Sequence, residues 1–214
     1  MFYLFLTGMA VLVLVVVYCW FFCQFWTHVD TREFRYLTEF RSRSVTGHRG
    51  RQILVHREFV PFLKALEERA WTSGLDIVVT GSYRKPEARL SDTVVAPATR
   101  SNHLAGHAID LNVRHAGHLY ESRDLGKGSW DSLPFEVRTF FDEVRKIPPF
   151  RWGGDFTQED PVHVDSGLNQ SNPGAWEQSV HDCFTDIREA PMKWQTWLKS
   201  LVHGTSVRKI GEKP

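Results

Sequence analysis

The chain has 214 residues, with 26 Lys plus Arg against 25 Asp plus Glu, a net charge of +1 and three cysteines. That length suits one well-buried domain with an extension, and the balanced charge gives no case for nucleic acid, which a strong basic excess normally announces. Cys19 and Cys23 fall in an apolar N-terminal run and Cys183 is alone in the remainder, so neither a disulfide framework nor a zinc–thiolate site is expected.

No charged side chain occurs from Met1 to Trp26, and the run from Val11 to Val17 is strongly apolar. About 20 apolar residues suffice to span a bilayer as a helix, so residues 1–27 are expected to form one transmembrane anchor. Trp20, Phe21, Phe22, Phe25 and Trp26 would sit at the membrane interface. A cleaved signal peptide fits poorly, because a basic leader and an Ala-x-Ala site are both missing. A lipoprotein signal also fits poorly, since Val17 and Tyr18 before Cys19 are not small. Residues 28–51 are expected to be a juxtamembrane linker. In it Arg32, Arg35, Arg41 and Arg43, with Phe34, Tyr36, Leu37 and Phe40, either lie against anionic headgroups or form a solvated tether.

The domain proper is expected over 52–175. Phe59, Phe62, Leu63, Leu66 and Ala70 mark one face of an amphipathic helix. Asp76 to Tyr83 reads as a strand, and Lys85 to Asn102 as a polar loop beside a cleft. Ile109, Leu111 and Val113 alternate with Ala108, Asp110 and Asn112, which predicts a strand with Asp110 turned away from the core. Ser132 is placed to cap a helix whose inner face is Val137, Phe140, Phe141, Val144 and Ile147, ended by Pro148-Pro149. Short strands follow at Phe150–Trp152 and at Pro161 to Asp165, with His163 and Asp165 on the polar face of the second. Helices flanking a small antiparallel sheet make the expected class α+β. Residues 176–214 are expected to be a helical extension, in which Trp194, Trp197, Leu198 and Leu201 recur at helical spacing and pack against the domain or meet a partner or membrane.

The chemistry concentrates in Ser101-Asn102-His103-Leu104-Ala105-Gly106-His107-Ala108-Ile109-Asp110 and in Asp160-Pro161-Val162-His163. His103, Asp110 and His163 supply two imidazoles and a carboxylate. Three such ligands leave the fourth position of a zinc ion open, as catalytic rather than closed structural sites do. Asp160, three residues before His163, is placed to take a proton from water, which points to metal-assisted hydrolysis. His107, His115, His118 and His181 match no ligand spacing and read as ordinary histidines. Asp155 and Asp165 are candidates to orient a ligand imidazole, Asp155 alternatively to close a turn.

In three blocks the sequence resembles the zinc D-Ala-D-Ala carboxypeptidase and L-Ala-D-Glu endopeptidase family of peptidoglycan hydrolases, which includes VanY-type enzymes and several phage endolysins. The blocks are Thr80-Gly81-Ser82-Tyr83-Arg84, Ser101 to Asp110, and Arg151-Trp152-Gly153-Gly154-Asp155-Phe156 leading to Asp160 and His163. Phe156 departs from the tryptophan usual there, and Asp160 takes a place held by glutamate in some members. The resemblance implies that His103, Asp110 and His163 bind Zn2+ and that Asp160 is the catalytic base. It further implies that Arg84 meets a substrate carboxylate or the oxyanion, and that Ser101 and Tyr83 bind substrate. An arginine fork suits the carboxylate-rich stem peptides of peptidoglycan. The implied fold is the compact α+β fold shared with Hedgehog-type signalling domains, so a non-catalytic wall-binding or scaffold module is the alternative. By the positive-inside rule the four linker arginines place the domain in the cytoplasm. The substrate, and the interleaved Asp30, Glu33 and Glu39, favour the periplasmic side of the inner membrane instead. A permanent anchor there would suit local wall remodelling with an envelope protein complex such as a secretion machine.

Overall fold

The computed structural model describes residues 26–86 and 100–203, together with Val11, Leu12, Leu14, Val15 and Tyr18. It divides into two units, Glu33–Glu189 and a smaller one made of Met1–Arg32 with Ala190–Pro214.

The Glu33–Glu189 unit is α+β. Its strands are β1 (Leu37–Glu39), β2 (Val45–Gly47), β3 (Leu54–His56), β4 (Asp76–Gly81), β5 (Ala108–His115), β6 (His118–Tyr120), β7 (Arg151–Trp152) and β8 (His163–Asp165). The main sheet runs β2-β4-β5-β8-β7, with β6 also pairing β5, while β1 and β3 form a separate antiparallel pair. All main-sheet pairings are antiparallel except β2 with β4, which is parallel. β5 is thus the central strand, and its alternation has the expected outcome. Ile109, Leu111 and Val113 are fully buried in the core together with Ile77, Val79 and Val164. Asp110 and Asn112 take the opposite face.

Two helices cover the apolar face. Val60–Thr72 carries Pro61 in its first turn, where a missing N–H costs nothing, and buries Leu63, Leu66 and Ala70. Phe135–Val144 buries Val137, Phe140, Phe141 and Val144. Ser132 does not cap this helix: its hydroxyl donates to Ser129 O at 2.6 Å, and Pro134 stands at the cap without a side-chain bond. Phe141 stacks on Trp152 at 4.6 Å, and Trp152 Nε1 donates to Pro161 O at 2.7 Å, so this helix also anchors the segment leading to β8.

Residues 33–51, within the stretch expected as a linker, are built into this unit. Asp186, on the helix Pro173–Arg188, accepts the backbone N–H groups of Arg35, Tyr36 and Leu37 at 3.0, 2.7 and 2.7 Å. Phe34, Leu37 and Phe40 are buried there and so do not face a lipid surface. The helix Pro173–Arg188, whose residues from Trp176 were expected in the extension, buries Trp176, Cys183 and Ile187. Of the loop expected from Lys85 to Asn102, residues 87–99 lie outside the described residues.

In the smaller unit an antiparallel bridge joins Val29 to Met192, and Trp26 packs on Trp194 at 4.7 Å. On the helix Lys193–His203, Trp197, Leu198 and Leu201 are exposed. Among the described residues no helix is long and apolar enough to cross a membrane. This overturns the expected transmembrane anchor over 1–27 and, with it, the single-pass inner-membrane location. A span needs about 20 consecutive apolar residues in one helix. Here only Val11, Leu12, Leu14, Val15, Tyr18, Trp26 and Thr27 are described as helical, and the rest of that run lies outside the described residues. Local remodelling beside an envelope-spanning machine rested on that anchor and loses its support.

Phe141→Ala should destabilise the fold by about 3–5 kcal/mol, the usual cost of removing a buried phenyl ring. Urea unfolding followed by far-UV circular dichroism measures it.

Candidate metal centre

Antiparallel pairing of β5 with β8 places Asp110 directly opposite His163. His103 reaches the same point from the turn that precedes β5. His103 Nε2 lies 3.1 Å from Asp110 Oδ1 and 3.2 Å from His163 Nδ1, and His163 Nδ1 lies 3.1 Å from Asp110 Oδ1. The three donor atoms form a nearly equilateral triangle. A tetrahedral ion about 2.0–2.1 Å from each donor sets its ligands about 3.3–3.4 Å apart, so the triangle matches such an ion with little adjustment.

The outer atom of each imidazole shows which nitrogen faces inward. His103 Nδ1 is 2.8 Å from Ser82 O, which only accepts, so Nδ1 is the donor there and Nε2 faces the triangle. His163 Nε2 is 2.9 Å from Asp165 Oδ2, which likewise leaves Nδ1 as the inward donor. Two lone pairs and a carboxylate oxygen at this spacing repel one another unless a cation or proton sits among them. Although burial opposes it, the bonds to Asp110 and Asp165 push His163 up to about 9. Asp110 goes the other way: burial raises it, but His103 and His163 outweigh burial and hold its carboxyl well below the usual range.

Further contacts fix these groups. Arg151 donates through Nε and Nη2 to the two oxygens of Asp165 at 2.8 and 2.7 Å, and Gly167 N–H adds a 2.7 Å bond. Burial raises Asp165, but its bonds to His163 and Arg151 keep the carboxyl far below the usual range. Asp110 fits because the residue behind it is Gly81, at the irregularity in the β4–β5 ladder, where a Cβ would collide with its carboxylate. Asp155, by contrast, pairs with Arg145 at the surface at 2.8 and 3.0 Å and orients no ligand.

The other expected residues divide. Asp160 is half-buried, held by Asp160 N–H to Gly153 O and His163 N–H to Asp160 O, both 2.9 Å. Burial and the charge of Asp110 push its carboxyl up, with His163 and His103 opposing, so Asp160 lies within electrostatic reach of the triangle. Arg84 Nη2 donates to Ser101 Oγ at 2.9 Å, and the Arg84 N–H donates to His103 O at 3.1 Å. Burial lowers this guanidinium and Asp110 raises it, which sets its charge beside the centre. Tyr83 is placed apart: its hydroxyl is buried with no hydrogen-bond partner among the described residues, and the charges acting on it are those of Cys183 and Asp186. Sequence reasoning missed Ser82, which contributes a backbone carbonyl and so leaves no side-chain signal, and the role of Arg151, visible only from its pairing opposite Asp165.

Residues 95–166 match the sequence model of a family described as D-alanyl-D-alanine carboxypeptidase. The matched span holds His103, Asp110, Asp160 and His163, and it supports a peptidase related to that family. Arg84 and Tyr83 precede it. A comparison with curated proteins finds no match.

Two outcomes are expected. Because a proton on His163 competes with the ion up to about pH 9, apparent metal affinity should rise about tenfold per pH unit through neutrality, with proton release on binding. Calorimetry in buffers of different ionisation enthalpy reads that release. Asp165→Asn, which removes the charge behind His163, should weaken metal binding about 10–100-fold in a competition assay with a chromophoric chelator.

Proposed function

We propose that this chain is a zinc-dependent peptidase that hydrolyses peptide bonds in peptidoglycan stem peptides, as a carboxypeptidase or endopeptidase. The observation that carries the reading is the triangle of His103, Asp110 and His163, with each outer ring nitrogen held by an acceptor. Zinc held by these three residues supplies a Lewis acid and makes water a competent nucleophile near neutral pH. Asp160 accepts the proton that the attacking water loses and returns it to the leaving amine. Burial and the charge of Asp110 raise its carboxyl, which makes it a stronger base toward that water than an exposed aspartate. Arg84 binds a carboxylate of the stem peptide or the oxyanion that develops at the scissile carbonyl, and its bond to Ser101 holds the fork in place. Ser101 contributes its hydroxyl to substrate binding. Tyr83, with a buried hydroxyl, lies in the segment after β4 that carries Arg84 and is not assigned to the substrate.

Asp160→Ala should retain the zinc of this centre and lose turnover, whereas His163→Ala should lose both that zinc and turnover. Purified muropeptides incubated with the full chain, with and without chelator, and read by mass spectrometry provide the test. Release of terminal D-Ala identifies a carboxypeptidase, and an internal cut identifies an endopeptidase and its bond. Muropeptides left intact by the zinc-loaded protein overturn the reading.

A further inference from the structure

A second group of potential ligands lies outside the triangle. One ring nitrogen of His56, one of His107 and a carboxylate oxygen of Glu58 all fall within 4.8 Å of one another. His56 ends β3 and is 5% exposed, and His107 immediately precedes β5 and is 4% exposed. Their rings face each other at a centroid distance of 5.0 Å. Two histidines so deeply buried need partners, yet these are poorly provided. His107 Nδ1 meets Ser166 Oγ at 3.2 Å, while its Nε2 is buried with no hydrogen-bond partner among the described residues. A buried ring nitrogen without a partner is costly and rare in folded proteins. His56 Nδ1 takes only a long 3.3 Å bond from the Glu58 N–H and stands 4.0 Å from Glu58 Oε2.

The electrostatics favour a cation over a proton. Burial, reinforced by His56, pulls His107 down to about 4, with Asp165 opposing. Burial also lowers His56, against the charges of Glu58, Asp182 and Asp186, while Arg57 lowers it further. Both rings are therefore neutral near pH 7, the form that ligates metals, and three carboxylates act on His56 against one guanidinium. The two rings are also held in place by backbone. His56 N–H donates to Gly106 O at 2.9 Å, and Gly106, at φ +69, approaches so closely that a Cβ there would stand 2.6 Å from His56 N. Glu58, with its side chain 77% exposed, approaches the group from the solvent side, its Oε2 4.0 Å from His56 Nδ1.

We propose that His56, His107 and Glu58 form a second divalent-metal site, suited to a borderline ion such as zinc, nickel or copper, which ties β3 to the turn carrying His103. Imidazole with one carboxylate is the donor set such ions take. The ion satisfies His107 Nε2, replaces the weak bond at His56, and leaves the Nδ1 side of His107 on Ser166. The site depends on none of the hydrolytic chemistry assigned to the first centre.

The test uses the full chain, stripped with chelator, reloaded with zinc, desalted and analysed for metal per chain. Two equivalents are expected in the unaltered protein and one in His107→Gln. Glu58→Ala, at an exposed position, should leave hydrolysis unchanged and weaken the second equivalent at least about tenfold, since even a residue behind a ligand is worth about 10–100-fold in affinity. His163→Ala, which lacks the first centre, should keep one equivalent, and that one should be sensitive to Glu58→Ala. A single equivalent that vanishes with His163→Ala overturns the proposal, as does a second equivalent indifferent to both Glu58→Ala and His107→Gln. Should His107→Gln fail to fold, the Glu58→Ala titration decides alone. An equivalent that survives His163→Ala but depends on Glu58 upholds this site even if the hydrolytic reading fails.

Discussion

The pairing of β5 with β8 is the constraint on which the centre depends. Its register sets Ala108 against Asp165, Ile109 against Val164 and Asp110 against His163. Side chains alternate along a strand, so a slip of one residue would turn Asp110 and His163 into the core and Ile109 and Val164 out of it. Burial of Ile109 and Val164 in the apolar layer under the helices therefore fixes where the two side chains meet. The same register brings Asp165 behind His163, and β7 places Arg151 opposite Asp165. Hydrophobic packing on one face of the sheet thus aligns the chemistry on the other.

Charge is managed outward from the triangle in layers. The histidines they flank hold the carboxyls of Asp110 and Asp165 well below the usual pKa range, and Arg151 balances the second of them. Asp160 sits in the same field and is pushed the opposite way, because burial and Asp110 act on it without a bonded cation. Two carboxyls close to one centre are thereby held ionised and the third given a raised proton affinity, a division suited to a ligand and an orienting group on one side and a proton carrier on the other. The arrangement costs stability unless the inward lone pairs are occupied, which is how local rules of folding are normally broken at sites of chemistry.

The stretch before β2 follows another logic. The arginines there suggest a headgroup-facing tether when only their own segment is considered. Asp186, 149 residues beyond Leu37, changes this by accepting three consecutive backbone N–H groups, and Leu37, Phe34 and Phe40 are all buried there. Buried backbone must be bonded somewhere, and here one distant carboxylate supplies what no neighbouring residue offers.

By itself the sequence determined those features that depend on local period and residue type. The alternation of Ile109, Leu111 and Val113 with Asp110, the helix faces of Leu63, Leu66 and Ala70 and of Val137, Phe140, Phe141 and Val144, and the gathering of His103, Asp110 and His163 were all legible, because each is written within a few residues or in a tight motif. Tertiary structure alone decided what depends on partners remote in the chain. The parallel pairing of β2 with β4, the hold of Asp186 on Arg35 to Leu37, the Ser82 carbonyl behind His103, the separation of the Tyr83 hydroxyl from the centre, and the approach of His107 to His56 leave no local pattern. His107 shows why most plainly: its spacing of four from His103 would join ligands only on a helix, which Gly106 and the following strand preclude, and its neighbour across space arrives from β3 by a backbone contact at Gly106 that only the folded chain creates.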